Sequence, residues 1–164
     1  MAEAARDYPF GRAAGTFFLG GAGPGALPPG RPLLAYGANG SPERLARKLP
    51  GAPVAALAAT LRGFAVVHSR HVSPYGQVPA TLVEQPGAVA AVHVLLVADR
   101  APLDATEPNY DLATLRGVAL EADLLGPLDE VDAYRSKHGP LLLDGRPVPL
   151  GSRPQADLRA ALSA

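Results

Sequence analysis

The sequence predicts an α+β domain in which a mixed sheet curls toward a small β-barrel, with short helices packed outside it. Apolar runs bounded by glycine and proline recur along the chain and indicate five or more strands. The helical segments are short and lie at separated points, whereas a doubly wound sheet would alternate strands and helices regularly. No internal repeat is present.

The composition supports one folded domain preceded by a flexible segment. The chain has 164 residues, of which 48% are apolar and only 5% aromatic, so its core must consist mainly of Leu, Val and Ala. Glycine and proline crowd residues 20–30, where they disfavour a regular element. We therefore predict a Gly/Pro-rich N-terminal arm over residues 1–31 and the domain itself over residues 32–164.

The charge balance and the lack of cysteine argue against several classes of partner and of active site. Fifteen basic residues balance fifteen acidic ones, which gives no electrostatic reason to expect nucleic acid or a membrane as a partner. The absence of cysteine excludes disulfides, thiolate metal sites and a cysteine nucleophile. The longest apolar segment, residues 88–98, is too short to span a bilayer, and residues 1–20 do not resemble a signal peptide. We expect a soluble, cytoplasmic protein; its oligomeric state is not determined by the sequence.

The first element of the domain is a strand that turns sharply into a helix. Residues 33–36 are apolar, residues 37–40 suit a tight turn, and residues 43–49 read as a helix. Ser41 is the expected N-cap, with Pro42 at the first helical position. Such a junction gathers free amide N–H groups at the positive end of a helix, which suits an anion. The alternative is an ordinary connection between strand and helix.

The remaining elements follow from the same signals. Strands are predicted over residues 54–61, 64–68, 79–84, 88–98, 111–124 and 130–135, with breaks at Gly63 and at the Pro86–Gly87 turn. A short helix is predicted over residues 100–107, with Asp99 as its N-cap. Asp144 and Gly145 predict the turn of a hairpin over residues 141–146, and residues 154–163 predict a closing helix.

One carboxylate is a candidate for chemistry. Glu107 closes the predicted helix and is followed at once by Pro108. A carboxylate at such a junction can be partly withdrawn from water, which makes it usable as a general base. The alternative is a solvent-exposed glutamate in front of a loop.

The histidines and serines offer weaker candidates. The four histidines lack the spacing and the acidic neighbours of a metal site, so we interpret them as solvated or hydrogen-bonded side chains. Ser69 and Ser73 lie on one loop with His68 and His71 and lack the order of a catalytic triad.

Several short segments, in order, resemble one family. Residues 36–40, Tyr-Gly-Ala-Asn-Gly, resemble the Tyr-Gly-Ser-Asn opening of the γ-glutamylcyclotransferase-like proteins. Residues 61–64, 75–83 and 86–92 are similar to that family's strand entry, its following strand and its Pro-Gly turn into the long central strand. Residues 103–107, Leu-Asp-Ala-Thr-Glu, resemble the family's Leu-Asp-x-x-Glu motif, and Tyr134 lies where members often carry a tyrosine. The resemblance covers about residues 33–150.

This resemblance implies a small mixed β-barrel with flanking short helices and a specific reaction. Family members release 5-oxoproline from a γ-glutamyl amine by intramolecular attack of the α-amine on the γ-carbonyl, with a glutamate as general acid/base and without metal or cofactor. Carried onto this chain, the catalytic residue is Glu107. The substrate-binding residues are Tyr36, Gly37, Ala38, Asn39 and Tyr134, with the amides of the loop holding the anionic end of the substrate.

Two departures from the family pattern keep other functions open. Ala38 replaces the family's serine, and Pro108 replaces the glycine that usually follows the glutamate. One alternative is a non-catalytic protein of the same fold that binds a small anionic metabolite. Another is a different acyl-transfer or lyase reaction on a related amide.

Overall fold

The computed structural model describes residues 11–164, and its centre is a closed barrel of five strands. The barrel consists of β2 (Leu33–Ala35), β3 (Val54–His68), β4 (Ala80–Leu96), β5 (Tyr110–Ala122) and β6 (Gly126–Ser136). The described residues also form β1 (Phe17–Leu19), β7 (Leu142–Leu143) and β8 (Arg146–Pro147). The helices are α1 (Pro42–Lys48), α2 (Ala101–Asp104) and α3 (Gln155–Ser163), and a 3₁₀ turn (Ala38–Gly40) lies between β2 and α1.

The barrel closes because the long strand β3 pairs with both β4 and β5. Around the barrel the order is β3, β4, β2, β6 and β5, and β5 returns to pair with β3. All these pairings are antiparallel except that of β2 with β6, where Leu33 lies opposite Asp132. The sheet is therefore mixed and curls on itself, which confirms the predicted small mixed barrel.

Two predicted strand breaks are wrong. Residues 54–68 form one strand, and so do residues 80–96. Gly63 and Gly87 do adopt positive φ, 85° and 84°. Both glycines, however, lie where the pairing of β3 with β4 shifts register, between the pairs Arg62–Val89 and Phe64–Glu84. The turn residues therefore form a bulge, and pairing on both sides of it keeps each strand continuous.

Alternation along β2 divides the core into an inner and an outer layer. Leu34 belongs to the cluster inside the barrel, together with Leu61 and Val94. Leu33 belongs to an outer cluster that also contains Leu45 of α1 and Leu103 of α2. Leu45 and Leu103 are fully buried, so each short helix is fixed to the barrel wall by an apolar side chain.

The helix boundaries explain how the loops are held. At α1, Ser41 Oγ accepts a hydrogen bond from the Arg44 amide and Pro42 takes the first position, as predicted. Helix α2 ends at Asp104, so the prediction that it extends to Glu107 is wrong. The Glu107 amide instead donates to Asp104 O at 3.1 Å in a turn. Pro108 disfavours helical backbone at the residue before it, which accounts for the early end.

The two ends of the described chain pack on the barrel. Strand β1 pairs with β3, with Phe17 opposite Ala56, so part of the segment predicted as an arm contributes to the sheet. At the other end, Asp144 and Gly145 have φ of 53° and 76° and turn the β7–β8 hairpin as predicted. Within residues 11–164, no helix is both long and apolar enough to cross a membrane.

Candidate active site

A pocket of about 610 Å³ lies beside α1, between the loop that follows β2 and the loop that follows α2. This volume is in the range of small-molecule sites. All six residues singled out from the sequence line it: Tyr36, Gly37, Ala38, Asn39, Glu107 and Tyr134. The structure therefore brings Glu107 and Tyr134 next to a loop that lies about 70 to 100 positions earlier in the chain.

The loop after β2 contains a 3₁₀ turn that was not predicted. The Gly40 amide donates to Gly37 O and the Ser41 amide donates to Ala38 O, both at 3.0 Å. The amides of Ala38 and Asn39 precede the first of these bonds, so the turn does not use them. The loop therefore presents amide N–H groups one turn before α1 begins, rather than at the first turn of α1.

Glu107 is held by two partners from the other side of the pocket. Lys48 Nζ lies 3.1 Å from Glu107 Oε1, and Asn39 Nδ2 donates to the same oxygen at 3.2 Å. Lys48 Nζ also donates to Asn39 Oδ1 at 2.7 Å. The three side chains form a closed triangle that joins the loop, the last residue of α1 and the carboxylate.

The second carboxylate oxygen faces a different environment. Within residues 11–164, both hydrogen bonds to the Glu107 carboxylate end on Oε1. The Glu107 side chain is 13% exposed and lines the pocket. In the described part of the chain, Oε2 therefore makes neither of these bonds and is the oxygen that the geometry leaves for a ligand.

Two tyrosines and an aspartate form the wall next to Glu107. The Tyr36 hydroxyl donates to Tyr134 O, which ties the loop to β6. The Tyr134 hydroxyl donates to Asp104 Oδ1 at the end of α2. Burial, and then the Asp104 carboxylate, raises the pKa of the Tyr134 hydroxyl above its ordinary value. Tyr134 is therefore a neutral hydrogen-bonding group and not a proton donor near neutral pH.

Three basic side chains on one face of α1 complete the pocket, and sequence reasoning missed them. Arg44, Arg47 and Lys48 all line it, because residues at positions i, i+3 and i+4 lie on the same side of a helix. That spacing is readable from the sequence as a signal for a basic helix face. The Arg44 guanidinium lies 5.7 Å from the centre of the Tyr75 ring across the opening. Glu107 therefore lies in a mostly positive surrounding.

The other end of the pocket is formed by neutral rings. His71 and Tyr110 both line it, with their ring centroids 5.7 Å apart. Burial, and then the nearby His138, lowers the pKa of His71 to about 4. His71 is therefore neutral at pH 7, with Nδ1 at 2.6 Å from Ser69 Oγ.

The remaining histidines and serines do not form a second site. Ser69 is fully buried and also bonds to Ser136 Oγ, which removes it as a nucleophile. His68 Nδ1 lies 3.0 Å from Val78 O, and its Nε2 accepts from the Gly151 amide. Among the residues that the structure describes, no group of three or more His, Asp or Glu side chains is arranged to hold a metal ion.

No protein-family model and no curated protein sequence matches the chain. Solved structures do. One is described as a gamma-glutamyl cyclotransferase; it is 20% identical, with 66% of this chain aligned to 68% of that one at a TM-score of 0.50. Another is an uncharacterized protein from Homo sapiens, 18% identical over 66% of this chain and 68% of that one, at a TM-score of 0.51.

At these identities the likeness concerns the backbone. The five-stranded mixed barrel, the additional strand β1 and the short helices outside the barrel match the architecture that the sequence motifs imply. The chain therefore has the γ-glutamylcyclotransferase-like fold.

Proposed function

We propose that the protein is a γ-glutamyl cyclotransferase-type enzyme that releases 5-oxoproline from a γ-glutamyl amine or a related amide. The observation that carries the proposal is the 3.2 Å contact between Asn39 of the loop and Glu107. It brings the loop proposed to bind an anion next to the carboxylate proposed as the base, in one pocket, and this supports a folded γ-glutamyl group as the ligand. The shared fold with a gamma-glutamyl cyclotransferase supports the same interpretation.

In the proposed reaction, Oε2 of Glu107 takes a proton from the α-ammonium of the substrate. The α-amine then attacks the γ-carbonyl carbon, and a C–N bond closes the five-membered ring. Glu107 gives this proton to the departing nitrogen as its bond to the γ-carbon breaks. It then takes the second proton, which the ring nitrogen loses on becoming an amide, and passes it to the released amine, which leaves as an ammonium. The products are 5-oxoproline and a free amine, and no water is consumed. Nucleophile and electrophile belong to one molecule, so the protein needs only to fold the substrate and move protons.

Each binding residue has a defined task in this proposal. The amides of Gly37, Ala38 and Asn39 hold the anionic end of the substrate. Lys48 and Asn39 fix Oε1, so that the carboxylate presents Oε2 in one orientation. Tyr134 lines the pocket as a neutral group whose hydroxyl proton is directed to Asp104.

The direct test is incubation with γ-glutamyl-alanine, followed by detection of 5-oxoproline and alanine in equal amounts. Glu107→Gln keeps the shape of the side chain and removes the base, and we expect it to lower kcat about 10²- to 10⁴-fold. Asp111→Asn is the matched control, because it makes the same chemical change at a side chain that is 74% exposed. Full turnover by Glu107→Gln would overturn the proton-transfer role.

A second candidate function is non-catalytic binding of a small anionic metabolite. The basic face of α1 favours it, because positive side chains attract an anion without adding a reactive group. Ala38 also favours it, because it keeps the backbone donors of the loop and removes the hydroxyl of the family's serine. A rise in Tm with glutamate or 5-oxoproline, together with no product after long incubation, would favour binding over catalysis.

A further inference from the structure

The segment 12–16, which we call the N-terminal strap, crosses the outside of the candidate site. Arg12 Nη1 donates to Tyr36 O and Arg12 Nη2 donates to Ala91 O of β4, each at 3.0 Å. The Ala13 amide donates to Gly40 O at 3.0 Å. The strap thus bonds to the first and the last carbonyl of residues 36–40, whose inner members line the pocket.

The same strap is also anchored to strands of the barrel. Gly15 O lies 2.9 Å from His93 Nε2 on β4. Thr16 Oγ1 accepts from the Ala58 amide at 2.9 Å and donates to Asp123 Oδ2 at 2.7 Å. The strap is therefore fixed to the barrel, and from there it bonds to residues 36–40.

The strap packs closely against the loop at Gly40. A Cβ atom at this position would lie 2.7 Å from Arg12 Nε and 3.2 Å from His93 Nδ1. These distances are shorter than ordinary contacts, so a side chain at Gly40 would push Arg12 away. Gly40 is fully packed in the fold, and its lack of a Cβ is what allows the strap to lie against the turn.

None of the strap residues lines the pocket in the described part of the chain. The strap therefore contacts the pocket wall indirectly, through its bonds to Tyr36 O and Gly40 O of the loop. We propose that Arg12 is a positioning residue: it fixes the backbone of the loop whose amides bind the anionic end of the ligand. The ligand-binding part of this inference rests on the proposed function, whereas the effect on the loop itself does not.

Two strap variants separate a local effect on the loop from general loss of stability. Arg12→Met removes the hydrogen bonds to Tyr36 O and Ala91 O and keeps an apolar stem of similar length. Thr16→Val is the matched control, since it breaks the strap's anchor to β3 and leaves Arg12 in place. Arg12→Lys can restore one of the two hydrogen bonds and is the conservative rescue.

The first readout is hydrogen exchange of the Gly40 and Ser41 amides, which needs no substrate. We expect Arg12→Met to accelerate this exchange about tenfold relative to the wild type and Arg12→Lys to accelerate it by less. Thr16→Val should leave it nearly unchanged when the variants are compared under conditions of equal global stability. The second readout is steady-state kinetics with γ-glutamyl-alanine. There we expect Arg12→Met to raise KM about tenfold with kcat within threefold, and Thr16→Val to change neither.

Equal exchange of the loop amides in the wild type and in Arg12→Met would overturn the proposal, as would an equal response to Arg12→Met and Thr16→Val. Should Arg12→Met fail to fold, Gly40→Ala displaces Arg12 while the guanidinium is retained. We then expect faster exchange at Ser41 and a higher KM, and an unchanged value of both would overturn the proposal. If the wild type forms no 5-oxoproline, the proposed function fails while the exchange experiment still decides the role of the strap.

Discussion

Lys48 Nζ lies 3.1 Å from Glu107 Oε1, with the two side chains 20% and 13% exposed. These residues are 59 positions apart in the sequence and come from different loops and helices. Asn39 bonds to both of them, so the ion pair also spans the loop after β2. The pair therefore links three segments that line the pocket. The coupling free energy between Lys48 and Glu107 measures how strongly these segments stabilise one another.

The Lys48–Glu107 pair should be energetically coupled. Lys48→Met leaves the largely buried Glu107 carboxylate with Asn39 as its partner within the described residues, and we expect it to lower the free energy of unfolding by about 1–2 kcal/mol. Glu107→Gln in the same background should restore part of that loss, which gives a coupling free energy of about 1 kcal/mol. Urea unfolding of the two single variants and the double variant measures it.

The chain contains a control for this cycle. Glu43 and Arg47 form an exposed pair one turn apart on α1, with side chains 75% and 67% exposed. We expect a coupling below about 0.5 kcal/mol there. Additive effects at Lys48 and Glu107, equal to those of the exposed pair, would contradict the view that the triangle holds the site together.

Ala38 tests whether the loop binds through its backbone alone. Its side chain is partly exposed and lines the pocket, so a serine fits there. Ala38→Ser adds a hydroxyl beside the free amides, and we expect it to lower KM for γ-glutamyl-alanine about two- to tenfold, the value of one hydrogen bond. Ala38→Val has a comparable size without a donor and should raise KM. A lower KM with both variants would show that added volume, rather than the hydroxyl, is responsible.

The basic face of α1 predicts which amine side the pocket accepts. Arg44, Arg47 and Lys48 all line the pocket. Lys48 pairs with Glu107 and Arg47 pairs with the exposed Glu43. A substrate with a carboxylate on its amine side should therefore be preferred. We expect kcat/KM for γ-glutamyl-alanine to exceed that for γ-glutamyl-ethylamide about tenfold at low ionic strength, and less at high salt.

Charge removal on α1 checks the same prediction. Arg44→Gln with Arg47→Gln should reduce the preference for γ-glutamyl-alanine and leave turnover of γ-glutamyl-ethylamide nearly unchanged. Equal losses for both substrates would mean that the two arginines support the helix and do not select the substrate. Kinetics with the two substrates side by side provide the measurement.

The barrel could be predicted from the sequence because its strands carry local signals. Apolar runs located β2, and turn residues at Asp144 and Gly145 located the hairpin. The two breaks at Gly63 and Gly87 were misread because each glycine does adopt a turn-like φ. What keeps β3 and β4 continuous is pairing across the bulge between segments about 20 residues apart, and no local pattern contains that information.

The residues of the candidate site could be predicted in part from the sequence. Short motifs singled out Glu107 and the loop at Asn39, and helical spacing on α1 could have added Lys48 to them. That Lys48 points at Glu107 depends on how α1 and α2 are fixed to the barrel by Leu45 and Leu103. This is tertiary packing, which the sequence of either helix does not contain.

The neutral end of the pocket predicts how stability depends on pH. The pKa of His71 is lowered to about 4, first by burial and then by the charge of His138, whose ring stacks on it at 4.6 Å. Below pH 6.5 the unfolded chain takes up a proton at this histidine and the folded protein does not, so stability falls as the pH drops from about 6.5 to 4. In this window, His71 lowers the free energy of unfolding by up to about 1.4 kcal/mol for each unit by which the pH falls. The pKa values of His68 and His93 are also lowered by burial, and they act in the same direction.

His71→Asn isolates one part of this dependence. Asparagine keeps a polar atom near Ser69 Oγ and does not titrate, so the fall in the free energy of unfolding between pH 6.5 and 5 should be smaller than in the wild type by about 1–2 kcal/mol. Urea unfolding at pH 8, 6.5 and 5 measures it, and the two proteins should have parallel curves between pH 8 and 7, where the imidazole is neutral in both states. A pH dependence that His71→Asn leaves unchanged would mean that His71 takes up its proton in the folded pocket as readily as in the unfolded chain.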